Sequence, residues 1–377
     1  LDSTNTSRRD FLKFMGFGIT AATLAACETP VVKSLPYVVK PNDVMPGIAN
    51  YYASTYFDGT DYASILVKTR EGRPIHIEGN KLSTVTKGGV SARVNSSVLS
   101  LYNTKRYQSP IIDGAPATWT SIDSSVGSAL QSIKETGGNA RILSSTIISP
   151  SSLELINKLK AWMEEDGASL THTMYDADSY SAVRAAHKAT HGSSMVPNYH
   201  FDKAKSVVSI NSDFLINGIN PIGFARDYGV MRNPDTGMSR HYQFETTLTS
   251  TGSAADVRGA IKPSEQGAVA IMLHNEVAKL TGGSTLAPKS LANDDNNVQA
   301  KISDAAKHLV ANKGKSIVIA GANYTNIQMI VNAVNEMLGN YGATINAEAP
   351  LHLRKGDDTS VAGLVSEMKS GAVDAIM

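Results

Sequence analysis

Short apolar runs alternating with amphipathic stretches constrain this chain more than any other feature. Runs rich in β-branched residues at 140–147, 170–175, 206–211, 316–320 and 372–377 have the length and composition of buried strands. Between them, apolar residues recur at three- and four-residue spacing over 122–135, 151–165, 179–190, 222–231, 264–281, 299–312, 325–338 and 360–369, which is the period of a helix packing one face. Residues 242–248 read as extended. Strands that alternate with helices return to the same sheet through right-handed crossovers. The expected fold is therefore α/β, a doubly wound and mainly parallel sheet over 121–377. Ser121 or Asp123 is the expected N-cap of its first helix.

The 377 residues suffice for two or three domains with cores of their own. A net charge of +1 without a dense basic block argues against nucleic acid as a partner. The lone cysteine, Cys27, excludes an intrachain disulfide and any cysteine-built metal site within this sequence. No run reaches the roughly 20 apolar residues of a membrane-spanning helix. Several motifs fail their context. Gly314-Lys315-Ser316 ends like a phosphate-binding loop, but Leu309 stands at the upstream glycine and the strand follows instead of preceding it. Gly16-Phe17-Gly18 with Ala21 has no strand before it. His187 and His191 share a helical face, yet no glutamate lies between them. A third metal ligand would have to be Asp176, Asp178 or His200, and the favoured reading is two surface histidines near a helix end.

The N-terminal part reads as targeting sequence. Arg8, Arg9, Phe11, Leu12 and Lys13 match the twin-arginine export signal, and the apolar run 14–26 that follows is too short to span a bilayer. Leu24-Ala25-Ala26-Cys27 is similar to a lipobox, which makes Cys27 a candidate lipidation site. Residues 28–64, punctuated by Pro30, Pro36, Pro41 and Pro46, read as an extended surface-following arm. The expected organisation is a signal-like segment at 1–27, the arm at 28–64, a β-hairpin region at 65–120 and the α/β domain at 121–377.

The hairpin region carries the most informative order of residues. Ile65–Thr69 and Pro74–Glu78 alternate about Glu71-Gly72-Arg73, and a loop follows with Gly79-Asn80 and Gly88-Gly89. This stretch resembles the N-terminal segment of the molybdopterin oxidoreductase family. There a hairpin ending "EGNP" leads into a turn whose cysteine completes an iron–sulfur cluster beside the pterin. On that pattern Ser91 stands at the cysteine and Arg93 at the basic residue between cluster and pterin, and residues 50–64 lack the other three cysteines. Such clusters need thiolates, normally four. The scaffold looks retained and the cluster lost.

Further stretches resemble the same family. Leu101–Tyr107 is similar to its "YDPdRL" segment, and Ala117-Thr118-Trp119 to the start of its first helix. Thr190-His191-Gly192-Ser193-Ser194 resembles a segment whose first residue ligates molybdenum, which puts Thr190, a poorer ligand than a thiolate, at that position. The segment from Met238 to Asp256 resembles the molybdopterin-like B subunits of bacterial alternative complex III, a class of quinol:electron-acceptor oxidoreductases. In catalytic relatives this region tends to bind pterin; here it is expected to pack, with Arg240 and Glu245 as an ion pair.

The resemblance implies a cofactor-free, non-catalytic part of a membrane-associated quinol-oxidising complex, lying peripherally on the periplasmic face of the inner membrane. It also implies partners: an iron–sulfur domain expected in a C-terminal continuation, a multihaem cytochrome c, and integral membrane quinol-binding subunits. Both chain ends read as edges of a longer polypeptide. Two other readings stand beside this one, an active periplasmic molybdenum oxidoreductase subunit and a periplasmic lipoprotein binding module.

Overall fold

The computed structural model describes residues 39, 42–292, 294 and 297–377. The twin-arginine positions Arg8, Arg9, Phe11, Leu12 and Lys13, and Cys27, lie outside them. The chain divides into two units, Leu1–Ile48 and Ala49–Met377. In the first, the described residues 42–48 make turns, and Ile48 N–H donates to Met45 O at 3.1 Å. Every element below belongs to the second.

Strands β1 (Asn50–Phe57), β2 (Tyr62–Arg70) and β3 (Arg73–Gly79) form an antiparallel meander. Its second turn is Glu71-Gly72 with φ of +50° and +75°. Positive φ at both central residues matches the right-handed twist of the flanking strands. The expected hairpin is therefore present and slightly longer at both ends. Residues 50–57, read as part of an arm, are instead its first strand. All four prolines that suggested the arm precede Asn50, so none fixes φ or removes an N–H within β1. Ala63, Ile65 and Ile77 bury against Val94, Val98 and Ile222, which seats the meander on the helix Pro221–Val230 of the α/β body.

The body holds a four-stranded, wholly parallel sheet in the order β11 (Val257–Ala260), β10 (Arg240–Glu245), β9 (Ser206–Ile210), β12 (Ser316–Ala320). Alternation assigns its faces. Val208, Ile210, Tyr242, Phe244, Val318 and Ala320 pack with buried residues of the helices Gln266–Thr281, Val298–Ala311 and Thr325–Met337. Val207, Ile317 and Ile319 turn the other way, onto Phe201, Phe214, Phe224 and Tyr228. Phe201 and Phe214 stack at 4.4 Å between ring centroids. Both faces are covered, as a parallel sheet requires.

The expected parallel strands are not gathered in one sheet. β6 (Asn139–Ser144), β7 (Ser169–Met174) and β14 (Ala375–Ile376) form a second parallel sheet in the order β14-β6-β7, and the helix Pro150–Glu164 buries Met163 with Leu170 of β7. Small antiparallel pairs join β4 (Ile111–Ile112) to β5 (Ala115–Pro116) and β8 (Val196–Tyr199) to β13 (Ile345–Leu351). The first helix of this part, Trp119–Glu135, is capped by Thr118, whose Oγ1 accepts from Ser121 N–H at 3.2 Å, and not by Ser121 or Asp123. The expected Arg240–Glu245 pair is also absent. An odd separation along a strand sends the two side chains to opposite faces. Arg240 pairs with Asp304 at 3.0 Å and Glu245 with Arg258 at 2.6 Å.

Candidate functional site

The residues singled out at 79–93 form a built structure. Gly79 is required there, because a Cβ would sit 2.1 Å from the carbonyl oxygen of Gly88. Asn80 then holds the loop, donating its N–H to Ser64 O at 3.0 Å and accepting from Leu82 N–H at 3.0 Å. The loop ends at Ser91, which caps the short helix Ala92–Ser96 by accepting from Val94 N–H at 3.1 Å. The same hydroxyl donates to Asp61, in the β1–β2 turn. Arg93 grips that carboxylate in a fork, Nε to Oδ2 at 3.0 Å and Nη2 to Oδ1 at 2.7 Å, and reaches Ile216 O at 2.9 Å. Asp61 is fully buried, and its hydrogen bonds raise the pKa of Arg93.

Ser91 and Arg93, predicted as vestigial positions, are thus brought together by a third residue that the sequence reading missed. Asp61 sits in Asp58-Gly59-Thr60-Asp61, a turn signal read only as part of the arm. The arrangement does not fit an iron–sulfur cluster. The position for a thiolate is a capping hydroxyl committed to a buried carboxylate, and Asp61, Ser91 and Arg93 satisfy one another. Beside this triad lies a cleft of about 400 Å³, lined by Val90, Leu215, Ile216, Pro221, Ile222 and Arg226 among others.

A second candidate follows from topology. β9 and β12 are neighbours, while β10 and β11 extend the other way, so strand order reverses between β9 and β12. The carboxyl ends at such a point form the ligand crevice of open α/β sheets. A crevice of about 200 Å³ lies there, lined by Asp178, Tyr180, Asn211, Asp213, Asn217 and Asn323. Burial pushes the Asp178 carboxyl up. Asp213 accepts from Thr251 Oγ1 at 2.6 Å. A pterin dinucleotide needs a site toward the upper end of the roughly 300–1,000 Å³ of ligand pockets. Its phosphates need basic groups or free N–H donors. This crevice is smaller, contains two aspartates, and has no lysine or arginine among its lining residues. The residues present do not fit that cofactor.

Thr190 is occupied as well. Its hydroxyl donates to Ala186 O at 2.9 Å, accepts from Asn332 Nδ2 at 3.0 Å, and lies 2.7 Å from His191 Nδ1. His187 is not at the surface: it is 1% exposed, with Nδ1 on Val183 O at 2.8 Å and Nε2 on the Tyr341 hydroxyl at 3.2 Å. None of Asp176, Asp178 and His200 joins the two histidines in a metal-ligand group among the described residues. The one such group among the described residues is His200, Asp202 and Asp227, which no spacing in the sequence marks. Lys87 already supplies its cation, 2.6 Å from Asp227 and 3.5 Å from Asp202. Burial raises the Asp227 pKa against the pull of Lys87. This is an ion pair tying the 79–91 loop to the helix Pro221–Val230.

The Met238–Asp256 segment packs through a buried polar row. His241, Gln243 and Glu245 alternate on one face of β10, each 0% exposed. His241 Nδ1 meets the Tyr228 hydroxyl at 3.1 Å, and Gln243 Nε2 donates to Glu245 at 3.2 Å. Burial lowers the His241 pKa to about 4, so the imidazole is neutral at pH 7. Burial would raise Glu245, but Arg258, Thr249 and Gln243 outweigh it and hold the carboxyl below its ordinary range.

No family model matches the chain. It is 26% identical over 345 residues to the menaquinone reductase, molybdopterin-binding-like subunit, of Nitratidesulfovibrio vulgaris, covering 84% of this chain and 48% of that protein. The chain thus spans about half the length of the curated relative it matches. Among solved structures, acetylene hydratase from Pelobacter acetylenicus aligns with a TM-score of 0.46 at 13% identity, over 78% of this chain and 42% of that one. The formyltransferase/hydrolase complex from Methylorubrum extorquens aligns at 0.38 and 14%, over 61% and 57%.

Proposed function

We propose that this chain is the non-catalytic, molybdopterin-like part of a membrane-associated quinol:electron-acceptor oxidoreductase complex of the alternative complex III type. In it the chain is a scaffold and docking surface for iron–sulfur and haem c carriers and for integral membrane quinol-binding subunits. The twin-arginine motif at Arg8 and Arg9 supports delivery to the periplasmic face of the inner membrane, and Cys27 is a candidate lipid anchor there. The observation that carries the reading is the Asp61–Ser91–Arg93 triad. Where a redox relative places a cluster ligand, this chain has a closed hydrogen-bonded knot that ties the meander to the body. The small acidic crevice at the strand switch point and the similarity to a menaquinone reductase subunit agree with it.

Purification of the complex from membranes through a tag on this chain tests the reading. Expected is co-purification of haem c and iron–sulfur carriers with quinol oxidation that survives Ser91→Ala. Recovery of the chain alone with stoichiometric molybdenum and pterin would replace this reading with an active molybdenum subunit. Recovery alone, acylated at Cys27 and without either, would leave a lipoprotein binding module.

A further inference from the structure

The cleft beside the triad has no role in the scaffold just described, and its walls have a chemistry of their own. Val90, Leu215, Ile216, Pro221 and Ile222 make it predominantly apolar, and Ile216 is 41% exposed there. Three charged side chains line it: Asp61, Arg93 and Arg226. Asp61 and Arg93 neutralise each other through the two-point fork. Arg226 makes no hydrogen bond or ion pair with any described residue. Among the described residues the local balance is therefore one uncompensated guanidinium, carried by a residue that lines an apolar cleft.

A cleft of about 400 Å³ falls within the roughly 300–1,000 Å³ of small-molecule sites, which are mostly apolar with a few placed polar groups. A free guanidinium presents a planar fork that matches a carboxylate and supplies no acceptor, so it selects an anion over a cation or a neutral alcohol. We infer that this cleft binds a small organic monocarboxylate, its apolar body against Val90, Leu215, Ile216 and Ile222 and its carboxylate on Arg226. A divalent cation finds no free carboxylate here. A dianion finds only one unpaired positive group. The inference rests on the residues of the cleft and not on the proposed complex, so calorimetry on the isolated chain decides it separately.

The test is isothermal titration calorimetry of the full chain with octanoate, kept below its micellar concentration, and with octan-1-ol as the uncharged match. Ala225 is exposed on the lining, so Ala225→Phe blocks the cleft without entering the core. Arg226→Met keeps the apolar stem and removes the charge. Expected is saturable one-to-one binding of octanoate, at least tenfold weaker binding of octan-1-ol, at least a tenfold loss in Arg226→Met, and abolition in Ala225→Phe. Melting temperatures without ligand check that both variants are folded. Binding that is equal in wild type and in both folded variants would place octanoate elsewhere and overturn the inference. Absence of saturable binding to the wild type would overturn it too, leaving the cleft to an apolar side chain of a protein partner.

Discussion

Removing the carboxylate of Asp61 should loosen the hold of the meander on the body. Asp61 is fully buried and accepts three side-chain hydrogen bonds, one from Ser91 and two from Arg93. Breaking a buried pair by deleting one partner costs about 3–5 kcal/mol, because the other is left uncompensated. The Arg93 side chain is 43% exposed, so its freed guanidinium can recover water and the loss for Asp61→Ala falls to about 2–3 kcal/mol. Asp61→Asn keeps an acceptor but not the charge and should cost about 1–2 kcal/mol. Urea unfolding followed by far-ultraviolet circular dichroism measures both. A double-mutant cycle with Arg93→Met isolates the pair, with an expected coupling of about 1–2 kcal/mol. If Asp61→Ala changes stability by less than about 0.5 kcal/mol, the level of an indifferent surface substitution, the knot does not hold the meander to the body and the reasoning fails.

Gly79→Ala should destabilise by about 2–3 kcal/mol in the same assay, since the added methyl meets the backbone of Gly88 instead of a side chain that can move. Lys87→Met should cost about 2–3 kcal/mol by stranding the buried Asp227, and Asp227→Asn in the same chain should recover most of it, which a thermal melt series can check. His241 predicts a pH dependence. Its folded pKa, about 4, lies below the unfolded value of 6.5, so the unfolded state binds more protons between those values. Stability should therefore fall as pH drops below 6.5, by about 3 kcal/mol at pH 4 from this group, and His241→Gln should flatten that part of the urea profile.

Much of the α/β body is legible in the sequence because its strands are buried on both faces. Ser206–Ile210 and Ser316–Ala320 read as short runs of mostly apolar residues, and the helix Thr325–Met337 beside them has clear periodicity. Three of the strands that escape notice have sequences that argue against them. β8 and β13 contain Pro197 and Pro350, and β11 is four residues with a glycine. The division into two parallel sheets is not written in any periodicity, because alternation says that a strand exists and not which edge it joins. At the site, Ser91 and Arg93 are marked by their order after the hairpin, but Asp61 is thirty residues from Ser91 and looks like turn chemistry alone. Lys87 and Asp227 are 140 residues apart, a distance over which charge pattern in one sequence carries no pairing information.

The proposed scaffold role requires that this chain bind neither pterin nor metal. Molybdenum, tungsten and oxidised-pterin content of the complex purified from membranes, each normalised to this chain, tests it most directly. Expected is a content of each far below the one-to-one loading of a built site. One pterin and one metal per chain, lost in Asp213→Arg or another variant of the switch-point crevice, would contradict the claim.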